Sequence, residues 1–302
     1  MDKITGDIPS FIIAGAPKSG TTALYNILAS HPDVCMSEIK EPKFFSDVKG
    51  DMTTKISGDG ARTPGTFSKG FEWYNSLFKN YRSGQLTGEA SSLYICLDDA
   101  AEKIKQCRPH TKIIFILRNP AERTFSHYRQ EYKLGFDFPP FAEMIKEDHP
   151  RYRFYENVSH YKKHLERFYS LFPKEQVLVL LHEDLRKDAM QETEKIFSFL
   201  GLRMLPAEDI HASKEYNEQL VPKSRMMARI MTIMQQAKIT SILPRSIRSK
   251  LFNVRNSFIK LNSQKAGKEE IEPGIKKQLD TIFEEDILYI RNLLGRKDIW
   301  ER

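Results

Sequence analysis

Residues 11 to 28, Phe-Ile-Ile-Ala-Gly-Ala-Pro-Lys-Ser-Gly-Thr-Thr-Ala-Leu-Tyr-Asn-Ile-Leu, decide the fold. Phe11 to Ala14 form the short apolar run that a buried parallel strand needs, and from Thr22 onward Leu24, Ile27 and Leu28 recur at helical spacing. Between them, Gly15 to Thr21 make a tight turn. Gly15 and Gly20 let the backbone approach a ligand, and the helix that follows points unpaired N–H groups back at the turn. The helix dipole favours negative charge there, Lys18 adds a full positive charge, and Ser19, Thr21 and Thr22 add hydroxyl donors. The expected guest is a phosphate or a sulfate.

Gly15 and Gly20 are separated by four residues, as in the phosphate-binding loop of ATPases, but such a loop has Lys directly before Ser or Thr. Here Thr21 takes that place and the lysine sits inside the loop at position 18. Further along, Lys112-Ile-Ile-Phe-Ile-Leu117 is a second central strand. It runs into Arg118-Asn-Pro-Ala-Glu-Arg-Thr-Phe-Ser126, where Pro120 suits a helix start, Arg118 stands at the entrance and Ser126 lies two turns in. Ligands of a doubly wound sheet bind where strand C-termini meet helix N-termini, so the junctions at Lys18 and Arg118 can grip two ends of one anionic nucleotide.

Composition sets the outer bounds. At 302 residues and 40% hydrophobic content the chain holds a full α/β core. No run approaches the roughly 20 apolar residues of a membrane span, and the N-terminus lacks a signal-peptide apolar region, which reads as a cytoplasmic chain starting near Met1. Cys35, Cys96 and Cys107 show no C-x-x-C spacing, so neither a disulfide framework nor a metal site is indicated. The net charge of +7 is local: residues 219–268 carry 11 Lys or Arg and no Asp or Glu, and removing their charge leaves −4 for the rest.

The remaining elements follow in order. Val34-Cys35-Met36 reads as a short strand, and Pro42 then breaks any helix, presenting Glu41 and Lys43 on a loop anchored by Phe44 and Phe45. Residues 48 to 70 read as a long loop or lid, and Phe71, Trp73, Tyr74, Leu77 and Phe78 as an aromatic helix face. Glu89 stands at the mouth of a strand, and residues 98 to 107 form an amphipathic helix. Arg123 and Arg129 read as helix-surface ion-pair partners, and residues 130 to 158 as irregular chain whose aromatics line an acceptor cleft. A helix from Tyr161 to Phe172, a strand from Gln176 to Leu181 and a helix from Met190 to Leu200 closed by Gly201 come next, with Asp184 as an N-cap. Residues 219–268 carry a Met-rich helical stripe, and a last amphipathic helix ends at Gly295. The expectation is one domain, residues 1–302, with 219–268 as a basic helical insertion at the substrate.

Three blocks carry a resemblance: residues 14 to 24, Glu41-Pro-Lys-Phe-Phe45, and Leu117-Arg-Asn-Pro-Ala-Glu-Arg-Thr-Phe-Ser-His-Tyr128. Together they resemble the sulfotransferases that use 3′-phosphoadenosine 5′-phosphosulfate (PAPS), and among them the heparan-sulfate type. The resemblance implies a P-loop-like three-layer α/β fold, a central parallel sheet flanked by helices. It implies that Lys18 contacts the sulfuryl group and its bridging oxygen, that Ser19, Gly20, Thr21 and Thr22 hold the 5′-phosphate, and that Arg118 and Ser126 bind the 3′-phosphate. Glu41 matches the general base, no metal is required, and the partner implied is a hydroxyl-bearing glycan, lipid or metabolite rather than nucleic acid. A membrane surface is a second use open to residues 219–268. Where several glycan sulfotransferases have Lys after the glutamate matching Glu89, this chain has Ala90, so the acceptor-side cation is either missing or supplied elsewhere, Lys43 being one candidate, and Glu89 has a structural reading. Two other classes compete: a Mg²⁺-dependent kinase or NTPase using Glu183 and Asp184, and a non-catalytic polyanion binder using residues 219–268.

Overall fold

A computed structural model of the protein describes residues 9–47, 65–133, 138–210, 220–222, 263–265 and 270–301. Five strands, β1 (Phe11–Gly15), β2 (Val34–Met36), β3 (Leu86–Ala90), β4 (Lys112–Leu117) and β5 (Val177–Leu181), form one parallel sheet in the order β2-β3-β1-β4-β5. The central strands are apolar on both sides because both faces are covered. Ile12, Ala14, Ile113, Phe115 and Leu117 point into one core layer, and Phe11, Ile13, Ile114 and Ile116 into the other.

The second layer is closed by α1 (Thr21–Ala29), through Leu24, Ile27 and Leu28, and by α9 (Ala189–Leu200), through Ile196 and Phe197. The first is closed by α3 (Ala100–Cys107), α6 (Pro150–Ser159) and α7 (Tyr161–Leu171), and by the C-terminal pair α10 (Pro273–Ile282) and α11 (Glu284–Leu294). The remaining helices are α2 (Gly70–Asn75), α4 (Pro120–Lys133), α5 (Phe141–Lys146) and α8 (His182–Lys187). The chain leaves β1 toward β2 on one side, and β4 lies on the other. The C-terminal end of β1 is therefore the switch point, where an open α/β sheet forms its ligand crevice.

Several expectations change. Residues 130–158 are helical over most of their described length: α4 runs to Lys133, and α5 and α6 follow. Their aromatics do not line a cleft, since Phe141, Tyr152, Phe154 and Tyr155 belong to the core. The C-terminal helix is divided at Phe283, and Gly295 closes its second half at φ 65°. Within the basic stretch, Leu220–Pro222 and Ser263–Lys265 pair antiparallel. The helical reading of the rest of 219–268, like the lid reading of residues 48–64, falls outside the described residues.

Candidate active site

The turn after β1 is built to receive an anion. Ala16 N–H donates to Ile116 O at 2.8 Å, tying the loop to β4, and Gly20, at φ 104°, caps α1 with no side-chain hydrogen bond. The first N–H groups of α1 therefore face the loop without side-chain partners. Ser19 is fully buried, and its Oγ has no hydrogen-bond partner. Such an atom costs about 1–3 kcal/mol unless a ligand completes it. A Cβ at Gly20 would stand 3.0 Å from Nδ1 of His182, and one at Gly15 would stand 2.7 Å from Cβ of Ile95. Both glycines are there because the backbone passes too close for a side chain.

On the β3 side, Glu41 lies in the loop after β2 with its backbone at φ 61°, and Lys43 follows at φ 51°. Left-handed backbone at a non-glycine residue costs on the order of 1–3 kcal/mol and gathers at functional sites. Glu41 N–H donates to Ala90 O at 2.8 Å, and its carboxylate accepts from Ser92 N–H (3.1 and 3.2 Å) and Ser92 Oγ (2.6 Å) at the helical turn beyond β3. The carbonyl of that same Ser92 lies 3.2 Å from where a Cβ on Gly15 would sit, so the residue bonded to Glu41 stands beside the start of the anion loop. Lys40 Nζ donates to Thr22 Oγ1 at 2.7 Å, a second tie between the two. Burial holds the Lys40 and Lys43 ammonium groups below their ordinary values, while the Glu41 charge pulls both back up. Lys43 is thus a desolvated cation within electrostatic reach of the candidate base.

On the β4 side, Arg118, Glu122 and Ser126 fall at four-residue spacing along α4 and its entrance. Arg118 donates to Glu122 Oε2 at 3.0 Å, and Ser126 lies one turn further on. Arg123 is buried, with 0% exposure. Its Nε donates to Ser159 Oγ at 2.5 Å, NH1 to His127 Nδ1 at 3.2 Å and to Pro17 O at 3.5 Å, and NH2 to Tyr155 O. Every one of these partners is neutral. Since the guanidinium can only donate, His127 Nδ1 is the acceptor and the ring proton sits on Nε2. Burial, then the charges of Arg123 and Lys18, hold this imidazole well below its usual range, so it is neutral beside the lysine. His182, at the end of β5, is likewise kept neutral, its value lowered to about 4 by burial and by Arg118 and Arg186.

Comparison with known families matches residues 9–287 to the sulfotransferase domain. The chain belongs to the sulfotransferase family. Its relatives include human heparan sulfate glucosamine 3-O-sulfotransferase 3A1, 29% identical over 210 residues, which are 68% of this chain and 47% of that protein. Another is the bovine bifunctional heparan sulfate N-deacetylase/N-sulfotransferase 2, 27% identical over 213 residues, 67% of this chain and 23% of that protein. This chain thus spans about half the length of the former and a quarter of the latter. Among solved structures, a sulfotransferase from Alicyclobacillus acidocaldarius shares the fold at a TM-score of 0.63 and 23% identity, covering 96% of both chains.

In this sulfotransferase the structure brings the residues singled out by sequence to one end of the sheet: Lys18 to Thr22 after β1, Glu41 after β2, and Arg118 and Ser126 after β4. It corrects others. Arg123 and Arg129 are buried, at 0% and 8% exposure, rather than on the helix surface. Glu89, one residue short of the C-terminal end of β3, is fully buried. Asp184 caps no helix but pairs with Arg296 at 2.5 Å, and Asp188 caps α9 through Gln191 N–H at 3.0 Å. Glu183 accepts from Asn119 N–H at 3.0 Å, so both acids of the kinase reading have protein partners. Sequence reasoning missed Lys40, Ser92, His127 and His182. His127 lies inside a block that carries the family resemblance, but nothing in its spacing marks a site role.

Proposed function

We propose that this sulfotransferase moves the sulfuryl group of PAPS onto a hydroxyl, and less readily an amine, of a carbohydrate, lipid or secondary metabolite. The observation that carries the reading is Ser92, which donates to the Glu41 carboxylate and whose carbonyl lies 3.2 Å from where a Cβ on Gly15, at the opening of the anion loop, would sit. This proximity supports a reading in which the acceptor base works beside the sulfuryl site.

In this reading the unpaired N–H groups of α1 and the Ser19 hydroxyl hold the 5′-phosphate, and Arg118, released from Glu122, turns with Ser126 to the 3′-phosphate. Glu41 takes the acceptor proton as the acceptor oxygen bonds to sulfur. The bond from sulfur to the bridging phosphate oxygen breaks, and Lys18 and the loop N–H groups meet the charge left on that oxygen. The relatives named for heparan sulfate support a glycan as the first acceptor class to try. Transfer of ³⁵S from labelled PAPS to a panel of heparan oligosaccharides, sterols and phenols tests this. Label appearing in an acceptor of any of these classes supports the reading; PAPS bound but transferred to none counts against it.

A further inference from the structure

The mechanism leaves unused the most buried carboxylate near the site. Glu89 is fully buried in β3, and its partners are three hydroxyls rather than a cation. Ser91 Oγ donates to its Oε2 at 2.8 Å, and Tyr94 and Tyr74 donate to its Oε1 at 2.9 and 3.2 Å. A hydroxyl has one proton, so a hydroxyl that gives it to Glu89 must turn its lone pairs elsewhere. Ser91 Oγ turns them to Lys43 N–H at 2.9 Å, and the Tyr94 oxygen to Phe45 N–H at 3.0 Å.

These two N–H groups belong to the loop that carries Glu41. With Pro42 contributing no N–H, the donors of this stretch run from Glu41 to the Ala90 carbonyl, from Lys43 to Ser91 and from Phe45 to Tyr94. Each lands on β3 or the turn just after it. Glu41 and Lys43 both hold left-handed backbone, which persists only where the surroundings over-determine it. We infer that Glu89 is a positioning residue for Glu41: by taking the protons of Ser91 and Tyr94 it fixes both hydroxyls as acceptors for the loop and so aims the base at the acceptor. The inference rests on Glu41 being the base. It also gives Glu89 a role that needs no lysine at position 90.

Glu89→Gln tests it, because an amide nitrogen donates where the carboxylate oxygen accepted and forces one hydroxyl to reverse. The expected result is at least a tenfold fall in kcat, with KM for PAPS and the affinity for adenosine 3′,5′-bisphosphate within twofold of wild type. Tyr94→Phe should act in the same direction, and the double variant should fall no further than the weaker single variant, as two links of one relay require. General loss of structure would instead weaken nucleotide binding along with kcat. Single variants within twofold of wild-type kcat, or effects that multiply in the double variant, would overturn the inference. Should Glu89→Gln not fold, Tyr94→Phe and Ser91→Ala decide by the same criterion. Glu41→Gln measured alongside separates the two readings: if it keeps turnover, the base assignment fails; if it is inactive and Glu89→Gln is not, only the relay fails.

Discussion

At Glu41 the main chain and the side chain answer to different neighbours. The backbone is held left-handed by its own N–H on Ala90, and the carboxylate is aimed by Ser92. A glutamine there keeps the shape and loses the basicity, so Glu41→Gln should lower kcat by about 10²- to 10⁴-fold while leaving nucleotide affinity within twofold. Steady-state kinetics with a binding titration checks this. Glu89 predicts a pH effect of defined sign. Burial raises its carboxyl from 4.5 to about 7, although its three hydroxyl partners oppose the shift; Tyr74 from α2, Tyr94 from the turn after β3 and Glu41 from the loop after β2 are the titratable groups acting on it. A raised acid holds its proton in the folded chain after the unfolded chain has released it. Its contribution to stability is therefore present at low pH and is lost as pH climbs through about 4.5 to 7. The ionised form is the one that orders the loop, so kcat should rise with a midpoint at about pH 7, at the upper end of the window over which stability falls. Denaturant melts at pH 5 and pH 8 should show wild type losing up to about 3 kcal/mol relative to Glu89→Gln. Parallel profiles would contradict the shift.

At the scale of elements, α1 and α4 enclose the anion loop from two sides. Gly20→Ala forces a side chain into left-handed backbone and against His182, so it should cost about 1–3 kcal/mol and abolish stabilisation by adenosine 3′,5′-bisphosphate. Arg123 ties α4 to the loop through Pro17 and to α6 through Tyr155 and Ser159. Arg123→Met leaves those acceptors without their donor and should lower stability by about 3 kcal/mol and nucleotide affinity several-fold, by differential unfolding and titration. The same elements show what a sequence can tell. β2, β4 and α9 are written in apolar runs and in Gly201, which is why Val34–Met36, Lys112–Leu117 and a helix ending at Leu200 are legible. α5 and α6 are not: residues 130 to 158 read as irregular chain, yet Pro140 stands at the N-cap of α5 and Pro150 at the first position of α6. Arg123 misleads because an arginine on a polar helix is ordinarily a surface residue. Only the packing of α6 on α4 buries it.

Across the whole molecule, the order β2-β3-β1-β4-β5 is what makes the site from distant pieces of sequence. It places β1 between the strand that positions Glu41 and the strand that leads to Arg118. The anion loop, Glu41 and the helix carrying Ser126 thus share one end of the sheet, although Lys18 and Ser126 lie far apart in the chain. None of the described helices is long and apolar enough to cross a membrane. Most of residues 219–268, which carry the +11, fall outside the described residues; among the described residues the anion site is built from local donors. Those donors are legible from Gly15 to Thr22, whereas their supports, Ser92, His127 and Arg123, come from elements that only the fold brings near. The central claim is that this site takes a 3′-phosphorylated nucleotide, and thermal unfolding tests it most directly. Adenosine 3′,5′-bisphosphate at about 100 times its Kd should add roughly 2.7 kcal/mol without any metal, and ATP with Mg²⁺ should add far less. Stabilisation by Mg-ATP alone would contradict the account.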